Sequence, residues 1–371
     1  SLESSSDSSE SVIAFYTSGL HSTISSIKKK DSLTDMVYGI NISYSRSNFR
    51  AGTTWSQEWF SLPFQIVNDD PAKIFNFSGK SNSVYSFYYN TLLGRMLLFG
   101  EVSVNESLKI AIIQGLTLRP SNRLSINLLF RHYDNGFISL HGKGPGSTSS
   151  SGSENSVTGN FLFEAAKHFF ISGGCQLREY PWLRYRNSSP SYYIRKELRG
   201  RYVPTEKFLA EAACNFTLTT SDDNSTNLIP RIEELTARTF SSIFRYSLTD
   251  ELTLGTRFYY KYAEESGEKG VAMLQDITYR FGNCPLTVWA RFCLFNSNSW
   301  DTRIYIYEND LLYSFSVPPL YGNGSRNYMM LSWKIKERAE LRFKYGISSK
   351  KETGLLYQNT EEFKFQVRIF I

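Results

Sequence analysis

The last eleven residues of the chain, EEFKFQVRIFI over 361–371, alternate between apolar and polar side chains. Because successive side chains of a β-strand point to opposite faces, the pattern predicts a strand with one apolar and one charged face. From this segment alone, the closing strand of a membrane barrel and the edge strand of a soluble sheet fit equally well. The apolar face would hold Phe363, Phe365, Val367, Ile369 and Ile371, and the polar face Glu362, Lys364, Gln366 and Arg368.

The same alternation recurs along the chain and favours the barrel. Stretches with this pattern lie at 123–131, 192–202, 208–218, 252–261 and 340–347. Each is about ten residues long, the length with which a tilted strand crosses a bilayer. No segment has a convincing helical period, and no run of about 18 apolar residues provides a transmembrane helix. If the chain spans a membrane, it therefore does so as a barrel, whose last strand must pair with its first.

Composition and length agree with this interpretation. Aromatic residues make up 15% of the chain, whereas only 41% of it is hydrophobic, as expected when half of each strand faces a polar interior. At roughly 20 residues per strand and turn, 371 residues allow about 16 to 18 strands. We therefore predict an all-β fold, a single transmembrane antiparallel β-barrel of about 16–18 strands over residues 11–371. Residues 1–10 form a polar N-terminus that we expect to be disordered, after removal of a targeting segment.

Charges and cysteines indicate what the interior contains. The net charge is +6, and the basic residues fall mainly on the polar parity of the strands, as Arg195 and Arg199 do. An interior of this kind either pairs its arginines with its own carboxylates and tyrosines or attracts anions. The four cysteines form no CxxC pair. A Cys284–Cys293 disulfide is one alternative, but nine residues along one strand separate two thiols too far, which favours free thiols.

Two segments stand out from the generic strand pattern. They are YPWLRYR over 180–186 and the long stretch from Trp300 to Arg326, which contains SVPPLY over 316–321. Both interleave charges with tyrosines, which predicts either an inward salt-bridge network or a selectivity ring or docking site. Pro318 and Pro319 cannot donate to a ladder, so SVPPLY should leave it as a loop or a plug. The candidate lumen or docking residues are Arg184, Arg186, Arg195, Arg199, Asp301, Arg303, Tyr305, Tyr307, Glu308 and Asp310.

These two segments resemble the C-terminal barrel of a family of Bacteroidota envelope proteins named for their helix-hairpin-helix repeats. FSGK at 77–80, FGE at 99–101 and QDITY at 275–279 are weaker points of similarity. The similarity runs from about residue 75 to 335 and implies an outer-membrane barrel. The helix-hairpin-helix repeats themselves are absent here, so the family's link to DNA is not carried over, and nucleic acid is not an expected partner.

The sequence predicts a non-enzymatic protein with no cofactor and no metal site. It has four histidines and no GxSxG, HExxH or phosphate-binding glycine loop. We expect an outer-membrane channel or a component of an envelope transport or assembly complex. Its partners would be membrane lipid and other outer-membrane or periplasmic subunits. The alternatives are a general diffusion porin, an outer-membrane barrel hydrolase and a soluble secreted glycan-binding β-protein.

Overall fold

The computed structural model is built almost entirely from long β-strands, which divide into two compact units. The first unit comprises Ser1–Phe161, Cys175–Ile194 and Thr219–Glu234, and the second comprises Leu162–Gly174, Arg195–Leu218 and Leu235–Ile371. The structure describes residues 2–4, 10–13, 23–66, 70–142, 144–146, 153–223, 230–335, 338–351 and 357–370.

The first eight strands lie in the first unit, where β3 to β8 pair antiparallel in chain order. Short strand β2 pairs with β1 and, in parallel, with β4. A short helix, α1 (Ile24–Lys28), precedes β3, and a 3-10 turn (Pro71–Lys73) precedes β5. The strands are β1 (Leu2–Ser4), β2 (Glu10–Val12), β3 (Asp35–Arg46), β4 (Phe49–Phe64), β5 (Gly79–Leu93), β6 (Met96–Asn105), β7 (Ile110–Ser121) and β8 (Leu124–Tyr133).

Four strands follow, each of 12 to 15 residues. They are β9 (Glu154–Ala166), β10 (Phe169–Tyr180), β11 (Ser191–Thr205) and β12 (Phe208–Asp222).

The last nine strands lie mainly in the second unit and form an antiparallel meander with one interruption. Strands β13 to β16 pair in chain order, β16 then pairs with β19, and β19 to β21 continue. The strands are β13 (Ile232–Ser247), β14 (Leu252–Ala263), β15 (Lys269–Arg280), β16 (Leu286–Ser297), β17 (Ile304–Tyr305), β18 (Pro319–Leu320), β19 (Gly322–Ile335), β20 (Ala339–Lys351) and β21 (Tyr357–Ile369).

The predicted all-β fold of long antiparallel strands is confirmed. Strands of ten or more residues are β3 to β16 and β19 to β21, seventeen within the described residues. At about 3.3 Å per residue, a ten-residue strand spans about 33 Å, enough to cross the hydrocarbon core of a bilayer. No helix in the described ranges is long and apolar enough to cross a membrane.

In the second unit the burial of the strand faces is the reverse of that in a soluble protein. On β21, Phe363 is 68% exposed and Ile369 is 70% exposed, which matches the predicted apolar face. On the neighbouring strand β20, Lys344 is 0% exposed and Glu340 only 3% exposed. The charged parity of these strands is therefore the covered face, and the apolar parity is the open one.

The first unit has the same reversal. On β8, the apolar Leu128 and Phe130 are 46% and 43% exposed, whereas the charged Arg131 is only 4% exposed. On the covered side, the Arg131 guanidinium lies 2.6 Å from the Glu154 carboxylate, and both side chains are about 95% buried. A soluble sheet buries its apolar residues and exposes its charges. Both units show the opposite pattern, which is typical of transmembrane strands.

The structure also bears on the predictions for the N-terminus, the cysteines and the last strand. Leu2–Ser4, within the segment expected to be disordered, forms strand β1, whereas residues 5–9 lie outside the described residues. All four cysteines are free thiols, and Cys293 is buried on the covered face. The last strand begins at Tyr357, four residues before the alternating stretch 361–371, and Ile371 lies outside the described residues.

Candidate functional site: an inserted segment on a charged seat

The interruption of the meander is the most distinctive part of the second unit. Ser297 at the end of β16 is the register partner of Gly322 at the start of β19. The chain therefore leaves the sheet at Ser297 and returns to it directly opposite, after residues 298–321, which we call the inserted segment. Within it, the short strands β17 and β18 pair with each other through Ile304↔Leu320 and Tyr305↔Pro319.

One side of the inserted segment is apolar and packs onto the covered face of the sheet. Ile304, Ile306 and Leu320 are 3% to 6% exposed. They form one cluster with Leu274 of β15 and Cys293 of β16. Burying three aliphatic side chains stabilises this docking by about 1.5–3 kcal/mol per side chain.

A glycine allows the segment to approach the sheet closely. A Cβ atom on Gly270 of β15 would overlap the carbonyl oxygen of Thr302. Thr302 is 0% exposed, and its hydroxyl lies 2.9 Å from the hydroxyl of Ser297. The segment is thus fixed to the sheet at the point where it departs from it.

Glu308 connects the segment to two strands through charge. The Arg326 guanidinium donates to both Glu308 carboxylate oxygens, over 2.6 and 2.9 Å. The Lys344 ammonium lies 3.4 Å from the same carboxylate, and the Ser316 hydroxyl donates to it over 3.3 Å. Bidentate guanidinium–carboxylate pairs of this kind are among the strongest hydrogen-bonded contacts in proteins.

Asp310 makes the second charged connection. Its carboxylate lies 2.8 Å from the Lys364 ammonium and 3.5 Å from the Lys344 ammonium. Burial alone would raise the pKa of the Asp310 carboxyl. The hydrogen bonds from Lys364 and from the Leu311 amide, together with the charge of Lys344, outweigh this effect and hold its pKa below the ordinary value.

Neutral contacts complete the attachment. The Gln366 side-chain amide donates to the Leu312 carbonyl over 3.1 Å and accepts from the Leu312 amide over 3.0 Å. Arg291 of β16 donates to the Tyr307 carbonyl over 2.7 Å, while it also pairs with Asp276 at 2.5 Å. Main-chain groups of an irregular segment need such partners when they lie away from water.

We call the basic residues Arg291, Arg326, Lys344 and Lys364 the charged seat, since they come from β16, β19, β20 and β21 and face the inserted segment. Lys344 lies between the two acidic residues of the segment, and its ammonium is also 5.1 Å from the centre of the Tyr328 ring. A buried ammonium is costly without counter-charges, and here Glu308 and Asp310 both supply one. The arrangement holds the inserted segment on the sheet through charge.

The structure divides the predicted candidates of this segment into two sets. Glu308 and Asp310 meet the charged seat. The other predicted face, with Asp301 and Arg303, Tyr305 and Tyr307, turns away from the sheet, and each of the two tyrosines is 51% exposed. The alternation of the sequence places Asp301, Arg303, Tyr305 and Tyr307 on one face, but only Ile304–Tyr305 is strand, and the face with the isoleucines is the one that packs onto the sheet.

The remaining candidates do not belong to the seat. In the first unit, Arg184 stacks on the Tyr180 ring at 3.5 Å and Arg186 lies 5.7 Å from the Tyr185 ring. Among the described residues neither arginine has a carboxylate partner, so no salt-bridge network is seen at 180–186, and the alternative of a selectivity ring or docking site stays a prediction. In the second unit, Arg195 and Arg199 both pair with Glu197, at 2.9 and 2.8 Å.

Sequence analysis missed the four seat residues as a group. Each lies on the polar parity of its strand, which was visible, but nothing along the chain indicated that the four strands present these residues to one segment. Within the described residues there is also no group of three or more His, Cys, Asp or Glu side chains placed to hold a metal ion.

Comparisons with known proteins give structural similarity alone. No family model matches the chain, and no curated protein matches it. Outer-membrane expressed OmpT of Vibrio cholerae is 11% identical, with 88% of this chain and 99% of that chain covered and a TM-score of 0.39. The FrpB iron transporter from Neisseria meningitidis is 10% identical, with 89% and 62% covered and a TM-score of 0.48. The siderophore receptor PirA from Acinetobacter baumannii is 8% identical, with 88% and 56% covered and a TM-score of 0.40.

Proposed function

We propose that this chain is a transmembrane β-barrel of a Gram-negative outer membrane that acts as a channel or as a component of an envelope transport or assembly complex. The observation that carries the proposal is the reversal of the strand faces. Side chains such as Phe363 and Ile42 are open to the surroundings, while Lys344 and Arg131 are covered. Lipid around the sheet accounts for both, since it solvates the apolar face and leaves the charged face to the interior.

In this proposal the inserted segment is a plug or constriction of the interior. It is attached to the polar faces of β16, β19, β20 and β21, the faces that a barrel turns inward. Ion pairs, hydrogen bonds and apolar packing all attach it to the sheet. Together they would hold the segment in place inside a water-filled lumen. The resemblance to the Bacteroidota family supports the same location and stays a prediction.

Membrane insertion is tested first. The full chain is refolded into detergent and into lipid vesicles, and gel mobility is compared before and after heating. We expect partition into detergent and a mobility that shifts on heating. A protein that stays in the aqueous phase and binds oligosaccharides would instead be the soluble glycan-binding alternative.

The plug is tested by conductance in planar bilayers. Because Ser297 and Gly322 are register partners, residues 298–321 can be replaced by a two-residue Asn-Gly hairpin turn without changing the strand pairing. We expect small or no conductance from the natural chain and a larger, steady conductance from the shortened one. The shortened variant should also carry Lys344→Met and Lys364→Gln, so that loss of the acidic partners does not leave buried charge.

Other outcomes identify the alternatives. Equal, large conductance from both chains would favour a general diffusion porin. No conductance from either chain, together with proteins that co-purify from the native membrane, would favour a subunit of a complex. Release of fatty acids from vesicles, abolished by a single histidine-to-alanine substitution, would favour the hydrolase.

A further inference from the structure

A second feature of the second unit is a basic cavity of about 680 Å³ beside the charged seat. Its wall comes from strands β11 to β16, and Asn309 of the inserted segment lies at its edge. This volume is within the roughly 300–1,000 Å³ typical of small-molecule sites. The cationic side chains in the wall are Arg201, Lys207, Arg245, Arg257, Arg280 and Arg291.

Half of these cations already pair with a carboxylate. Asp276 pairs with Arg257 at 3.1 Å and with Arg291 at 2.5 Å. Lys207 pairs with Asp250 at 2.8 Å. Two further wall carboxylates remain, and one of them, Glu211, is paired with Arg199 at 3.2 Å.

The other three cations have no such partner. Arg201, Arg245 and Arg280 have no carboxylate within 4.0 Å in the part of the chain that the structure describes. The last wall carboxylate, Glu206, forms no ion pair there either. The cavity wall thus keeps an excess of guanidinium groups whose donors are free to bind an anion.

A glycine keeps space open among these groups. Arg245 is the register partner of Gly255, which in turn pairs with Asp276, which pairs with Arg291. Arg245, Gly255, Asp276 and Arg291 therefore lie side by side on strands β13 to β16, and Gly255 contributes no side chain to this row. A Cβ atom on Gly255 would lie 3.4 Å from the Asp276 Cβ, so any side chain longer than alanine would occupy the space between Arg245 and the Asp276–Arg291 pair.

We propose that this cavity binds a small, water-soluble anion that carries two or more phosphate groups. Guanidinium groups bind phosphate oxygens in pairs, and several unpaired guanidinium groups around one space favour an anion of multiple charge over a single carboxylate. This inference names the class of solute that the proposed channel would carry. The role of the site in transport therefore rests on the proposed function. Binding itself needs only the folded chain.

Isothermal titration of the detergent-solubilised full chain with pyrophosphate tests the proposal. We expect saturable binding that weakens with added salt and is stronger than that of acetate. Arg245→Gln combined with Arg280→Gln should weaken binding at least tenfold. Gly255→Leu, which fills the space without removing charge, should weaken it as well.

Arg238→Gln is the matched control, since Arg238 lies on β13 with Arg245 but on the opposite parity and pairs with Glu264. It should leave pyrophosphate binding unchanged. Folding of each variant is checked by the heat-dependent shift in gel mobility. No binding by the folded natural chain, or equal binding by the double variant, would overturn the inference.

The two proposals fail separately. A chain that inserts and conducts but does not bind pyrophosphate keeps the proposed function and loses the anion site. A chain that binds pyrophosphate but does not insert into a membrane keeps the site and loses the channel.

Discussion

Arg326 and Glu308 form a two-point ion pair, with guanidinium–carboxylate distances of 2.6 and 2.9 Å, that joins strand β19 to the inserted segment. Glu308 is 3% exposed, and the buried Lys344 shares its carboxylate. One carboxylate thus contacts two cations on the covered face. Without Glu308, each cation keeps one longer contact, because Arg326 lies 3.3 Å from Glu362 and Lys344 lies 3.5 Å from Asp310.

Glu308→Gln should therefore destabilise the folded chain by about 1.5–3 kcal/mol, since it removes the nearer of the two carboxylates that Arg326 and Lys344 each contact. The measurement is the temperature at which the heat-dependent shift in gel mobility occurs, and it should fall. Asp301→Asn is the control, because it also replaces a carboxylate by an amide in the inserted segment, but at an exposed position. Equal melting temperatures for the natural chain and Glu308→Gln would show that the seat does not hold the segment.

Gln366→Leu should loosen the tip of the inserted segment without a change in charge. It removes both hydrogen bonds to the Leu312 main chain, which leaves two polar groups unpaired at about 1–3 kcal/mol each. Tyr313 and Phe315 at the tip are 96% and 81% exposed, so chymotrypsin can report the loosening by cutting after them. We expect cleavage at least tenfold faster than in the natural chain. Gln358→Leu, at an exposed position of the same strand, should change nothing.

Asp310 should make the attachment of the segment sensitive to acid. Its pKa is held below the ordinary value in the folded chain, so its stabilising contribution is complete above the unfolded value of about 3.9 and disappears as the pH falls through the lower folded value. The difference in melting temperature between the natural chain and Asp310→Asn should be constant from pH 7 to pH 5 and should shrink below about pH 4. A difference that changes between pH 7 and pH 5 would mean that another group dominates.

Gly270→Ala should displace the inserted segment at its point of departure, because the added methyl group overlaps the Thr302 carbonyl oxygen. The expected cost is about 1–3 kcal/mol, typical of overpacking in a close contact. Gly282→Ala in the turn after β15 is the control, since the nearest atom to its Cβ is 3.9 Å away. Slower hydrogen exchange or an unchanged melting temperature in Gly270→Ala would contradict the close approach.

The strand faces could be predicted from the sequence because the alternation is a local property. Phe363 and Lys364 fall on opposite faces whatever the strand packs against, and the structure places them so. The inserted segment was different. Its alternation was visible, but two faces were available, and only the shape of the surface formed by β15 and β16 decides that Ile304 and Ile306 turn inward and Tyr305 and Tyr307 outward.

The partners of Glu308 and Asp310 could not be predicted for a related reason. Arg326, Lys344 and Lys364 are 18 to 54 residues away from them in sequence. Which cation meets which carboxylate depends on the register of three hairpins and on where a segment outside the ladder comes to lie. A single sequence specifies the sign of each charge but not these distances.

The final prediction concerns the open face of strand β3. Ile42 is 67% exposed, and Ser43 beside it lies on the opposite face. If lipid covers the open apolar face, Ile42→Arg should disfavour the folded state in lipid vesicles by about 2–4 kcal/mol near the bilayer centre, whereas Ser43→Arg should be tolerated in a polar interior. The measurement is the fraction of chain that refolds into vesicles, scored by its heat-dependent gel mobility.

The comparison of the two arginine variants distinguishes a lipid-facing strand from a strand of a soluble sheet. A soluble sheet that faces water on both sides would accept arginine equally at the two positions, because a guanidinium on an exposed strand costs little in water. Equal refolding yields for Ile42→Arg and Ser43→Arg in vesicles would therefore contradict a lipid-facing β3. A yield that falls for Ile42→Arg alone, and falls further as the lipid chains lengthen and the hydrocarbon core thickens, would identify the apolar parity of β3 as the membrane surface.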